Sequence, residues 1–183
     1  YTGDAVIDGK ALTIQSTGMG GPSAAIVITE LHALGARTLL RIGTCGGLDQ
    51  ALSLGDLVIA EQALAGDGVS RRLSPDPMIA ASPGLVARLA DAAGPGTQQG
   101  VVASTDLYYE DLDSHRAALA AGALAVEMEA ATLFTLAARL GFEAGAVLLV
   151  SNLVLPATDQ INEEQLHVAE QRLGEVATAA LAG

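Results

Sequence analysis

The chain of 183 residues contains one cysteine, no tryptophan, two phenylalanines and three tyrosines. A single cysteine, Cys45, rules out an internal disulfide framework and suits a reducing cytoplasm, the compartment expected for this chain. Cations are also scarce: nine Lys and Arg stand against 21 Asp and Glu, for a net charge of −12, and Lys10 is the sole lysine. Nucleic acids and anionic membranes need basic footprints, so neither is an expected partner. An anionic ligand would be caught by a few placed groups rather than by a general positive field, which raises the significance of each arginine. The apolar runs are too short or too interrupted to span a bilayer. His32, His115 and His167 show no metal-ligand spacing, so no metal is expected. Cys45 has no histidine base nearby in sequence, which disfavours a cysteine nucleophile. No signal peptide is visible, and the chain starts at Tyr1-Thr2-Gly3 without a Met, which raises the expectation of a missing N-terminal portion.

What the chain has is aliphatic. Half of the residues are hydrophobic, with Ala, Leu, Val and Gly dominant. That composition suits helices packed closely on a sheet, and the length suffices for one domain over residues 1–183. Strand patterns are expected at 11–16, after a turn around Asp8-Gly9, and at 38–42, 56–62, 99–103, 123–127 and 144–150. Helical patterns are expected at 24–34, capped by Ser23, and at 84–93, 114–121, 130–140 and 162–181. Residues 66–83, polar and rich in Gly and Pro, read as a surface excursion, with Arg71-Arg72 as a solvated pair. This alternation predicts an α/β fold: a central mixed, partly parallel sheet flanked by helices.

Several of these strands run into polar residues: Arg41 and Thr44, Ser104-Thr105-Asp106, Glu127-Met128-Glu129, and Ser151-Asn152. Ligands of open α/β sheets bind off the carboxyl ends of the strands, so these loops predict one crevice. Arg41-Ile42-Gly43-Thr44-Cys45-Gly46-Gly47 is the leading segment. A charge next to a buried strand needs an opposite partner, so Arg41 is either an anion ligand or half of a structural ion pair. Gly18-Met19-Gly20-Gly21 before a helix can present backbone amides to an anion, or simply make a tight turn; it has neither Walker nor dinucleotide-fingerprint spacing. Glu127 and Glu129 at a helix start either complement its dipole or accept sugar hydroxyls, with Met128 as an apolar wall. Tyr108-Tyr109 is an aromatic lid or core packing. Asn152 reads a heterocycle edge or caps a turn.

Taken together, Ser16-Thr17-Gly18-Met19-Gly20-Gly21-Pro22-Ser23, the Arg41–Gly47 segment, Val126-Glu127-Met128-Glu129-Ala130-Ala131-Thr132-Leu133 and Val150-Ser151-Asn152 resemble the nucleoside phosphorylase superfamily, which includes hexameric purine nucleoside phosphorylases and uridine phosphorylases. The pieces occur in the family's order and the resemblance covers the whole chain. It implies phosphorolysis of a nucleoside to free base and (deoxy)ribose 1-phosphate, with inorganic phosphate as co-substrate, no cofactor, and a homo-oligomer, a hexamer or a ring of dimers. By the match, Gly18, Gly20, Arg41 and Thr44 would hold phosphate; Met19, Met128 and Glu129 would hold ribose; Tyr108, Glu127, Ser151 and Asn152 would border the base; and Arg41 and Asn152 would act in the reaction.

The chain departs from the family in three places. The family's initial strand and Gly-Asp-Pro phosphate loop, and the His and Arg it lends to a neighbouring subunit, have no counterpart in these residues. Asn152 stands where many purine enzymes carry the Asp that protonates the base. Glu110-Asp111-Leu112-Asp113-Ser114 stands where uridine phosphorylases carry a Gln-x-Arg reader of uracil. The expected substrate is therefore a purine nucleoside, with uridine as the alternative. A hydrolytic nucleosidase of the same fold and an inactive nucleoside-binding remnant are the further readings.

Overall fold

The structure, a computed structural model, describes residues 2–7, 9–156 and 158–182. Asp8, part of the turn expected before the first predicted strand, lies outside them. Strands β1 (Thr2–Ile7) and β2 (Lys10–Gln15) form a separate antiparallel pair. Helix α1 (Gly21–Ala33) is followed by β3 (Thr38–Gly47), β4 (Leu57–Ala65), the short α2 (Gly68–Leu73), β5 (Met78–Ala80), α3 (Pro83–Ala93), β6 (Gln98–Ser104), α4 (Leu112–Ala120), β7 (Ala123–Glu127), α5 (Ala130–Leu140), β8 (Glu143–Leu153), β9 (Asp159–Gln160) and α6 (Glu163–Ala182). The expected α/β class with a mixed, partly parallel sheet is what forms.

The main sheet has the order β5-β4-β6-β7-β3-β8-β9, and β4 also pairs with β8, so the sheet closes on itself. Strands β4, β6 and β7 are mutually parallel, as are β3 and β8; the two sets meet antiparallel at β3–β7 and at β4–β8. Closure explains the near-continuous apolar run of β8, where Ala144 to Val150 are all buried: helices cover one side and the closed interior the other. Helices α1, α2 and α5 pack together on one side, α3 and α6 on another, and α4 lies against β7. Helix α5 is buried at every residue from Ala130 to Ala137 and exposed only in its last turn.

Three expectations are corrected. The stretch 66–83 is not a bare surface loop: Asp67 caps α2, Arg71 and Arg72 lie in that helix's last turn, and β5 extends the sheet. Ser23 does not cap α1, which starts at Gly21 with Pro22 in its first turn; the Ser23 hydroxyl donates to the Thr17 carbonyl instead. Most consequentially, β3 and β8 outlast their apolar patterns. They pair in parallel from Thr38 with Glu143 to Gly47 with Leu153, so ladder hydrogen bonds carry both strands through glycines and polar residues that read as breaks. Arg41, Thr44, Ser151 and Asn152 are therefore strand residues, not loop residues. The crevice at one edge of an open sheet is replaced by a meeting point. The carboxyl end of β7, which runs beside that of β6, meets the carboxyl end of β3, with Val126 opposite Gly46.

Candidate active site

At that meeting point sits an arginine held by two carboxylates. Arg41 leaves β3 and lies flat over Gly43: a Cβ at residue 43 would come 3.1 Å from Nη1 and 3.2 Å from Cζ and Nη2. A side chain at residue 43 would press on the guanidinium and make it shift by a few tenths of an ångström. Arg41 Nε then donates to Glu127 Oε2 at 2.8 Å, and Nη2 pairs with Glu129 Oε2 at 2.5 Å. The structural ion pair, one of the two readings of this arginine, is thus present in duplicate. One cation facing two carboxylates leaves a local charge of +1 − 2 = −1.

Glu127 ends β7, in register with Ser104 at the end of β6. Its side chain is 0% exposed. Oε2 accepts from Arg41 Nε, from the Glu129 amide at 2.8 Å and from the Ala130 amide at 2.9 Å; Oε1 accepts from the Ser104 hydroxyl and from the Ala130 amide at 3.0 Å. The Ser104 oxygen in turn accepts from the Ala131 amide at 2.8 Å. These amides belong to the first turn of α5, where no intrahelical acceptor exists, so a carboxylate placed there is favoured by both hydrogen bonding and the helix dipole. Glu127, expected beside a base, instead directs its carboxylate inward onto Arg41 and the helix start.

Glu129 is the N-cap residue of α5. Its Oε1 accepts from the Gly20 amide and its Oε2 meets Arg41, so one carboxylate bridges the glycine loop before α1 and the arginine on β3. Around this core the other expected residues are distributed differently. Met128 is half-buried between the two glutamates, and Met19 is 85% exposed. Thr44 is exposed on β3. Ser151 and Asn152 lie on β8 against Cys45 and Gly46: the Ser151 hydroxyl reaches the Cys45 carbonyl, and the Asn152 amide nitrogen comes 3.2 Å from where a Cβ of residue 46 would sit. Gly18 precedes Gly20 in the same loop, where a Cβ would meet the Ser23 hydroxyl. Tyr108 is 72% exposed and meets Tyr109 edge-on at 4.9 Å, which overturns core packing for this pair. Its loop leaves the site from Thr105, whose amide donates to the Glu127 carbonyl.

The structure therefore brings Gly20, Arg41, Glu127 and Glu129 into direct contact, sets Ser151 and Asn152 one strand away, and leaves Thr44, Met19 and Tyr108 exposed. Sequence reading noted Ser104 only as a polar strand end; its tie to Glu127 has no local signal. Cys45, buried beneath the cluster, has its thiol pushed up from 9.0 to about 12, mainly by burial and then by the Glu127 charge. A thiol so disfavoured as thiolate is no nucleophile. Among the described residues no group of three or more His, Cys, Asp or Glu is arranged to hold a metal, and no helix is long and apolar enough to cross a membrane. Chemically, the cluster offers a planar cationic fork for an oxyanion and a carboxylate with two acceptor oxygens for paired hydroxyls.

The chain is similar in sequence to known proteins over most of its length. The family model described as the phosphorylase superfamily matches residues 1–182. The guanosine phosphorylase of Halorubrum lacusprofundi is 41% identical over 157 residues, covering 82% of this chain and 65% of that protein. The uridine phosphorylase of Salmonella typhimurium is 35% identical over 175 residues, covering 85% and 68%. A purine nucleoside phosphorylase of the DeoD type from Bacillus cereus is 35% identical over 167 residues, covering 86% and 70%. The chain thus spans about two thirds of the length of these relatives.

Proposed function

Since the chain belongs to the phosphorylase superfamily, we propose that it is a nucleoside phosphorylase, a pentosyltransferase moving a (deoxy)ribosyl group from a purine base to inorganic phosphate. The observation that carries this reading is the single linked cluster Gly20–Glu129–Arg41–Glu127, which joins an oxyanion fork to a hydroxyl acceptor. Phosphate takes the place of Glu129 on Arg41, with the amides around Gly18 and Gly20 and the exposed Thr44 hydroxyl as further donors. The ribose 2′ and 3′ hydroxyls take the place of Arg41 on Glu129, while Met19 and Met128 line the sugar. A phosphate oxygen then attacks C1′ as the C1′–N bond breaks and its electron pair leaves with the base. The transition state is oxocarbenium-like, so an anion held still beneath the ring is most valuable there. Glu127 keeps Arg41 aimed. Asn152 donates an N–H hydrogen bond to the departing base but, unlike an Asp, transfers no proton.

A purine base is favoured by the absence of a Gln-x-Arg reader after Tyr108 and by the relative named guanosine phosphorylase; the relative named uridine phosphorylase keeps uridine as the second reading. Assembly as a hexamer or dimer-based ring belongs to the same proposal, supported by the exposed apolar Ile26, Leu34 and Ile42 on and after α1 and on β3. The test is base release from guanosine, inosine, adenosine and uridine, with and without phosphate, on the full-length protein. Phosphate-dependent release of a purine is expected. Equal rates without phosphate would establish a hydrolase, and binding without turnover would establish an inactive nucleoside-binding protein.

A further inference from the structure

Asp67 is a fully buried carboxylate that the reaction described above does not use. It caps α2: its Oδ2 accepts from the Ser70 amide at 2.9 Å. The same oxygen accepts from the Thr132 hydroxyl at 2.9 Å, across to the first turn of α5. A third helix start closes on this bond. A Cβ on Gly21, the first residue of α1, would lie 2.7 Å from Thr132 Oγ1 and 3.0 Å from Asp67 Oδ2, so not even a methyl fits between. The amino-terminal ends of α1, α2 and α5 thus converge on one carboxylate, and their dipoles make its buried charge tolerable. The other oxygen, Oδ1, and the neighbouring Ser70 hydroxyl are both buried without a hydrogen-bond partner.

The neighbouring link explains the position. One residue before Gly21, the Gly20 amide donates to Glu129, three residues before Thr132. The glycine loop and the start of α5 are therefore joined twice: once by the Gly20–Glu129 bond in the proposed site, and once by the Gly21–Thr132–Asp67 contact behind it. We infer that Asp67 is a positioning residue, which acts through Thr132 and Gly21 to hold the Gly20 amide and the Glu129 carboxylate at working distance. This rests on the phosphorylase reading for its kinetic consequence but not for its geometric one.

The test compares Thr132→Val, which keeps shape and loses the hydroxyl, with Thr132→Ser, which keeps the hydroxyl. Small misplacements of positioned groups cost on the order of 10- to 100-fold, so Thr132→Val should lower kcat/KM for guanosine in phosphate by that amount, mostly through KM, while Thr132→Ser stays near wild type. Amide hydrogen exchange gives a readout free of turnover. In Thr132→Val, exchange should quicken in residues 18–21 while α6 keeps its wild-type protection. A fall in melting temperature with unchanged KM and kcat, or a uniform rise in exchange across the chain, would overturn the inference and leave Asp67 a purely structural cap. If Thr132→Val does not fold, Thr132→Ala, which removes the same hydroxyl with less bulk, carries the same comparison. If wild-type protein fails to turn over nucleosides, the phosphorylase reading falls, and the exchange measurement still decides this one.

Discussion

Replacing Glu127 by Ala is the sharpest perturbation this geometry offers. The side chain is wholly buried and accepts from Arg41, Ser104 and the amides of Glu129 and Ala130. Its removal strips Arg41, itself only 16% exposed, of one of its two carboxylates and leaves the Glu129 and Ala130 amides without their acceptor. Removing one partner of a buried ion pair costs about 3–5 kcal/mol, an upper figure here because Arg41 keeps Glu129. The orphaned donors add to this only where water cannot enter, and a deleted glutamate leaves space for water, so that range stands for the whole site. For a domain of this size each kcal/mol lowers the melting temperature by roughly 2–4 °C, which puts Glu127→Ala about 6–20 °C below wild type. Glu127→Gln keeps one carbonyl oxygen for the helix amides and should fall between the two. The measurement is a thermal melt of the three proteins at equal concentration, paired with phosphorolysis rates, which should drop in both variants as Arg41 loses its fixed aim. A Glu127→Ala protein that melts within about 2 °C of wild type, less than the shift from one kcal/mol, would refute the claim that this carboxylate holds the site together.

Gly43→Ala pushes a methyl onto the Arg41 guanidinium, and turning that side chain aside should cut phosphorolysis roughly 10- to 100-fold; steady-state rates at saturating phosphate check this. Phosphate and nucleoside displace the same Arg41–Glu129 pair, so each should tighten the other's binding, by a factor in the common range of about 5–150; calorimetric titration of phosphate with and without a non-cleavable nucleoside analogue reads it, and equal affinities would contradict partner exchange. Cys45 should resist alkylation at pH 8 in the native protein and react once it is unfolded. The native chain keeps that thiol proton up to about pH 12, whereas an unfolded chain releases it near 9.0, so the unfolded state binds fewer protons between the two and this group's contribution to stability declines as pH rises through that window. Chemical denaturation at pH 8 and pH 10 tests the sign.

Most helices and strands were legible because their signals are local: apolar periodicity for α3 and α5, an unbroken aliphatic run for β8, and glycines after α1 and α5. Apart from the Ser23 cap, the errors share one cause. The strands β3 and β8 were read as ending where apolar residues stop, yet each is held by the other's backbone for several residues more. Asp67 was hidden in the same way, since a Gly- and Pro-rich stretch reads as loop until a short helix inside it docks on α5.

The sequence by itself determined the α/β class, the positions of Arg41, Glu127 and Glu129 as the residues to watch, and the family, because composition, short-range periodicity and motif order are all properties of neighbours along the chain. It left Arg41 divided between an anion ligand and an ion pair. Only the tertiary structure supplied its partners, since Glu127 is 86 positions away, Gly20 meets Glu129 across 109 and Asp67 meets Thr132 across 65. No local pattern encodes those encounters. They follow from closure of the sheet, which lays the end of β7 beside the end of β3 and brings helix starts to bear on buried carboxylates.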